Sequence, residues 1–159
     1  MAAPPDILIR PVQSADAEKL HEACFPHLSL SELSRRFEII IEGYDTRRIC
    51  GMVAEVSSDI VGYGQIGRWG PNCEISDLIV AEGWRSNGIG SALIAHLLDV
   101  AREWEISEVQ IGAAETNPGA YRLYKRLGFN EYKRVMLDIG SGPEPIIYLN
   151  KQFSYPEAS

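Results

Sequence analysis

Residues 75–97 read ISDLIVAEGWRSNGIGSALIAHL, and this stretch limits what the chain can fold into more than any other. Leu78-Ile79-Val80 is a short apolar run with strand character. A polar turn follows, then Arg85-Ser86-Asn87-Gly88-Ile89-Gly90, inside which an amphipathic segment begins. A strand, a glycine loop and a helix N-terminus in one unit leave several backbone N–H groups unpaired at the positive end of the helix dipole. Such a terminus suits a phosphate or pyrophosphate. Gly88 and Gly90 carry no Cβ, so the backbone can approach a ligand closely there. A P-loop is excluded, because no lysine follows Gly90. A dinucleotide fingerprint is excluded too, because Leu93 stands where its third glycine belongs.

The rest of the composition narrows the class. The net charge of −7 argues against a general nucleic-acid binder, whose surface is basic. Cys24, Cys50 and Cys73 form no Cys-x-x-Cys and no His/Cys cluster, so no metal site is expected. Widely spaced cysteines, odd in number, suit a reducing, cytoplasmic setting. The opening MAAPPD lacks the pattern of a secretory signal, and no apolar run reaches the roughly 18 residues of a membrane span. At 159 residues, residues 1–159 are expected to form a single domain.

Read in order, Ile7 to Val12 is a first strand, and Ser14 looks like the cap of a helix burying Ala17, Leu20, His21 and Cys24. A second helix starts after Ser29 or Ser31 and runs to about Glu42, with Gly43 as its stop signal. Residues 48–56 and 60–66 form a hairpin about Ser57-Ser58-Asp59. Gly62, Gly64 and Gly67 mark a close backbone approach or a bulge. Residues 68–72 turn into a central strand, about residues 73–80. Ile89, Leu93, Leu97, Val100 and Trp104 then give a long helix one buried face, with His96 beside it as a structural residue. A strand over residues 108–114 leads to Asn117-Pro118, a cap and first turn, and that helix stops at Gly128. Strands over residues 131–139 and 145–152 close the chain about the turn Gly140-Ser141-Gly142-Pro143, and residues 154–159 are expected to fray. The order predicts an α/β fold: a mixed sheet of about seven strands flanked by about four helices.

Arg85-x-x-Gly88-x-Gly90 after an apolar strand resembles the acyl-CoA-binding motif of the GNAT family of N-acyltransferases. Asn117, followed by Ala120-Tyr121-Arg122-Leu123-Tyr124-Lys125-Arg126-Leu127-Gly128-Phe129, is similar to that family's second motif, in the right order and separation. The resemblance implies a mostly antiparallel GNAT-like sheet and acetyl-CoA as acyl donor. It implies that Ser86, Asn87, Gly88, Ile89 and Gly90, with Arg85 nearby, hold the cofactor pyrophosphate. Backbone groups of Leu78, Ile79 and Val80 would pair with the pantetheine arm, and Asn117 would contact it while capping its helix. Tyr121, on nearly the same face as Tyr124, joins the cofactor-binding set. Arg122, Lys125 and Arg126 either add charge near the other phosphates or form a solvated helix face. Phe25, His27, Leu28 and Glu32 are either candidates for the acceptor wall or ordinary loop and core residues.

Acyl transfer from a thioester to an amine also needs a base for the amine and an acid for the thiolate. Tyr124 matches the family's general acid, and a phenol with pKa near 10 suits a thiolate near 8.5. Glu74 matches the general-base glutamate of the histone-acetyltransferase branch, acting directly or through water, or else is a solvated or salt-bridged carboxylate. Glu74 and Asp77 differ by an odd number of positions, so a regular strand puts them on opposite faces, with Asp77 structural. No cysteine lies in either motif, so direct attack by the amine is expected. The acceptor is open: a small-molecule amine or a protein amine. A homodimer through the terminal strands is a further expectation. The alternative is an inactive CoA-binding sensor or partner module, which would need neither Tyr124 nor Glu74.

Overall fold

A computed structural model describes residues 6–70, 72–138, 140 and 142–156. Pro71 and Ser141 of the expected turns, Ile139 at the end of the expected strand 131–139, residues 1–5 of the opening segment and residues 157–159 of the frayed end lie outside them. In chain order the elements are β1 (Leu8–Pro11), a 3-10 turn (Ser14–Asp16), α1 (Ala17–Ala23), α2 (Leu30–Asp45), β2 (Ile49–Val56), β3 (Asp59–Trp69), β4 (Asn72–Val80), α3 (Ile89–Glu103), β5 (Glu108–Ala114), α4 (Pro118–Arg126), β6 (Asn130–Asp138) and β7 (Pro143–Gln152). The strands form a 7-stranded sheet in the order β1-β2-β3-β4-β5-β7-β6. Among the described residues, only β4 and β5 run parallel, and every other pair is antiparallel. The expected mixed, mostly antiparallel architecture is therefore present. Among the described residues, no helix is long and apolar enough to cross a membrane.

Two cores lie on opposite faces of the sheet. One joins α3 and α4 to Cys73 and Ile75 of β4, Val109, Ile111 and Ala113 of β5, and Ile147 and Leu149 of β7. The other joins α1 and α2 to Val53, Ile60 and Tyr63. Leu93 and Leu97 are fully buried at 0% exposure, and each such side chain contributes about 2 kcal/mol by leaving water. The glycines of β3 let α3 come this close. A Cβ on Gly64 would stand 2.9 Å from Leu78 Cδ1 and 3.2 Å from Leu97 Cδ1, and one on Gly62 3.0 Å from Ile89 Cγ2. Close approach is thus the reason for two of the glycines that crowd this strand. It fixes where the N-terminus of α3 points.

Three local expectations are corrected. Ser14 does not cap a helix. Gln13 caps the 3-10 turn, and its backbone N–H donates to Asp16 Oδ2 at 2.7 Å. Asp16 also takes two hydrogen bonds from Arg10, each 2.8 Å, so a buried carboxylate organises this corner. Gly43 does not stop α2, which continues to Asp45. Its role is steric, since a Cβ there would stand 2.4 Å from Ile49 Cγ2.

The third correction concerns β4. Between the pairs Tyr63↔Ile79 and Gln65↔Ser76, β3 advances through Gly64 alone while β4 advances through Asp77 and Leu78. One extra residue is a β-bulge, and Asp77 takes the left-handed φ of 50° that absorbs it. The bulge reverses the parity of everything after it. Cys73 and Ile75 pack with the α3 core, and after the bulge so do Leu78 and Val80. Glu74 therefore faces the α2 side, and so does Asp77, whose Oδ2 lies 3.9 Å from Nη1 of Arg36 on α2. The two carboxylates share a face, against the expectation from spacing.

Candidate active site

Pairing between β4 and β5 is short. It runs through Cys73↔Val109, Glu74↔Gln110 and Ile75↔Ile111 and then ends, although β4 continues to Val80 and β5 to Ala114. Backbone groups of Leu78 to Val80 that face β5 have no strand partner there. Between the parting strands lies a passage of about 260 Å³. Its lining includes Ile75, Leu78, Ile111 and Ala113 from the α3 face, and Ser76, Asp77, Gly112 and Ala114 from the α2 face. Residues of both faces line one space, so the passage runs through the sheet.

On the α3 face it opens into a groove of about 800 Å³. The groove is lined by Leu78, Ile79, Val80, Trp84, Arg85, Ser86, Gly88, Ile89, Gly90, Ser91, Asn117, Gly119, Ala120, Leu123, Tyr124 and Arg126. At one end the N–H groups of Ile89, Gly90 and Ser91 have no partner inside α3, by helix geometry. Gly88 caps this helix with φ 80° and no side-chain bond. Ser86 is also left-handed, at φ 66°. Asn87 holds the loop from behind, its Nδ2 donating to the carbonyls of Trp84 (3.0 Å) and Arg85 (3.1 Å). Arg85 Nε donates to Val80 O at 3.4 Å. The far wall is α4. Asn117 Oδ1 accepts from Ala120 N at 3.2 Å, so the expected cap is formed, and Asn117 lines groove and passage alike.

Tyr124 stands where groove and passage meet. Its ring is buried, at 6% exposure, against Phe129. Its hydroxyl bonds no described residue, yet no buried polar atom among the described residues lacks a partner. The hydroxyl therefore opens onto the cavity. Burial pushes the phenol up to about 12, so it is protonated throughout the working range.

The sequence-predicted residues divide into two groups. Leu78, Ile79, Val80, Arg85, Ser86, Gly88, Ile89, Gly90, Asn117 and Tyr124 line the groove. Asn87 does not, because its side chain is spent on the loop. Tyr121 does not either; its hydroxyl donates to Glu131 Oε2 at 3.0 Å, toward β6. Of the three α4 cations, Arg126 reaches the groove. Phe25 belongs to the α2 core with Phe37 and Tyr63, and neither it nor His27, Leu28 or Glu32 lines groove or passage. Glu74 lies on the α2 face, where its Oε2 accepts from Gln110 Nε2 at 3.2 Å. Sequence reasoning missed Ser76, Gly112, Ser91 and Trp84. A run of small residues at the end of β5, Gly112-Ala113-Ala114, was the available signal for the passage.

These parts define a class: an open-seamed α/β protein with a helix end suited to an anion, a long groove and a passage between parted strands. The profile of the acetyltransferase (GNAT) family matches residues 15–129, and the chain belongs to that family. It is 30% identical over 90 residues to streptothricin acetyltransferase of Streptomyces lavendulae, a match covering 55% of this chain and 48% of that one. The chain thus spans about half the length of that relative. It is 32% identical over 110 residues to an uncharacterized N-acetyltransferase of Mycobacterium bovis, covering 69% of this chain and 67% of the relative. Its fold superposes on yncA of Salmonella typhimurium, solved with its cofactor acetyl-CoA, with TM-score 0.79 and 19% identity over 97% of this chain and 98% of that one.

Proposed function

We propose that this chain is an N-acyltransferase that moves an acetyl group from acetyl-CoA to a primary amine by direct attack. One observation carries the reading: the phosphate-type helix end, the unpaired edge of β4, Tyr124 and the through-sheet passage form one continuous path. The residues fit the cofactor. Free N–H groups at Ile89 to Ser91 suit its pyrophosphate, and the strand edge at Leu78 to Val80 suits a pantetheine amide. When bound, acetyl-CoA supplies an activated thioester.

The chain's own residues do the rest. The loop and α3 end anchor the phosphates, with Arg85 and Arg126 contributing positive charge. The β4 edge orients the arm and offers an N–H near the acyl oxygen. Glu74, on the α2 face next to Ile75 of the passage, takes the ammonium proton directly or through water before attack. Tyr124 donates its proton to the leaving sulfur. At a pKa of about 12 this transfer is uphill against an ordinary thiol of about 8.5, so it requires the thiolate to be desolvated as the phenol is.

The test is acetyl-CoA binding by calorimetry, followed by thiol release over a panel of amines, on wild type and Tyr124→Phe. Binding with release that collapses in the variant supports the reading. Binding without release on any amine favours a CoA sensor, and no binding removes the assignment.

A further inference from the structure

The α2 face of the sheet carries a second constellation beside the passage. Tyr148 of β7 pairs with Gly112, and a Cβ on Gly112 would stand 3.1 Å from Tyr148 Cε1. The tyrosine ring therefore lies across Gly112, at the rim of the passage that Gly112 lines. A second bulge, in β6 between Glu131 and Lys133, places Tyr132 and Lys133 together opposite β7. The Tyr132 hydroxyl donates to Gln110 Oε1, and Gln110 donates in turn to Glu74. The Lys133 ammonium sits over both rings, 5.3 Å from the Tyr132 centroid and 5.2 Å from that of Tyr148. Burial and the Glu74 carboxylate together raise the Tyr148 phenol, consistent with that carboxylate standing close by.

Two electron-rich ring faces with a carboxylate behind them form a receptor for an alkylammonium. The protein already seats one there, its own Lys133, from an exposed strand. Resting on the acyltransferase reading, we propose that Tyr132 and Tyr148 form a subsite for a second cationic group on the acceptor, which Lys133 occupies until the acceptor displaces it. The chemical class follows. The acceptor is an amine that carries another ammonium a short aliphatic chain away. Glu74 pairs with Gln110, two residues before Gly112, so the backbone positions of Glu74 and Gly112 lie about 8 Å apart, a separation that a short aliphatic diamine can bridge.

The experiment compares thiol release with 1,4-diaminobutane, n-butylamine and 4-amino-1-butanol, on wild type, Tyr132→Leu and Lys133→Met. In wild type, kcat/KM for the diamine exceeds that for both monoamines by about ten-fold, the range of a partly desolvated cation–π contact. Tyr132→Leu lowers kcat/KM for the diamine by more than for the monoamines, so the diamine preference falls. Lys133→Met lowers KM for the diamine alone, because the internal competitor is gone. Equal rates for all three amines in wild type, or a preference indifferent to both variants, would overturn the subsite. A direct readout does not need turnover: tyrosine ring resonances titrated with the diamine and with butylamine. Shifts with the diamine only support the subsite, and no selective shift removes it. Failure of acetyl-CoA to bind would instead remove the acyltransferase reading, so the two failures are distinguishable.

Discussion

The two sides of the passage are built differently. The groove on the α3 face comes from one continuous piece of chain, from Leu78 to Arg126. The α2 face collects Arg36, Glu74, Gln110, Tyr132 and Tyr148 from five elements, and two bulges set their orientation. A backbone-made anion cradle needs only local geometry: a strand end, a glycine turn and a helix start. A side-chain surface needs long-range register. The first kind of site holds the same ligand through large sequence change, while the second alters with each side chain on it.

The largest expected effect tests whether the groove side carries chemistry as well as binding. Tyr124→Phe keeps the buried ring and removes only the hydroxyl, so kcat for thiol release falls about 10²-fold while the calorimetric Kd for acetyl-CoA holds. An unchanged kcat would make the groove a binding element only. The pH profile sharpens the same point. A phenol held at about 12 stays protonated, so its loss cannot produce an alkaline fall in rate between pH 9 and 11. A fall in that window that vanishes in Tyr124→Phe would contradict the raised value.

On the opposite side, Gly112→Ala forces a Cβ against Tyr148 and Ile146, at 3.1 and 3.2 Å. Overpacking of this kind costs about 1–3 kcal/mol. The rise should fall on KM for the amine, with Kd for acetyl-CoA unchanged; a change confined to the cofactor would break the division between faces. Gly88→Ala is the mirror experiment. Its φ of 80° costs a side chain about 1 kcal/mol, so Tm falls slightly and cofactor affinity weakens, with KM for the amine intact.

A control lies at the corner of β1 and α1, away from both faces. Desolvation pushes the Asp16 carboxyl upward, but the Arg10 pair and the Gln13 N–H outweigh it, and the net shift is downward. A depressed carboxylate gives stability that is full above its unfolded pKa and lost as pH falls through the folded value. Asp16→Asn should therefore lower stability by about 1–2 kcal/mol at neutral pH and by less toward pH 3, in urea melts, with acetyl-CoA affinity untouched.

How much was legible in the residues follows the same division. The strand Glu108–Ala114, the Asn117 cap and the Arg85–Gly90 loop were readable because period, cap and turn chemistry are local signals. The shared face of Glu74 and Asp77 was not, because a bulge changes parity without changing composition. Gly43 misled because a glycine signals a stop or a close neighbour alike, and only Ile49, brought back by the next strand, decides which. Helical spacing puts Tyr121 on the face of Tyr124, but Glu131, beyond the end of that helix, draws its hydroxyl elsewhere. The tyrosine pair over Lys133 had no sequence signature, since Tyr132 and Tyr148 meet only through register.

The short pairing of β4 with β5 has one more consequence. Among the described residues, three residue pairs are all the strand pairing between β1–β4 and β5–β7, and beyond them the fabric is unsewn. A ligand that presents amides to that seam acts as a splint. Its binding should slow amide exchange along Leu78 to Val80 and raise the melting temperature of both halves together. The protein would then report its own occupancy as stiffness, before any bond is made or broken.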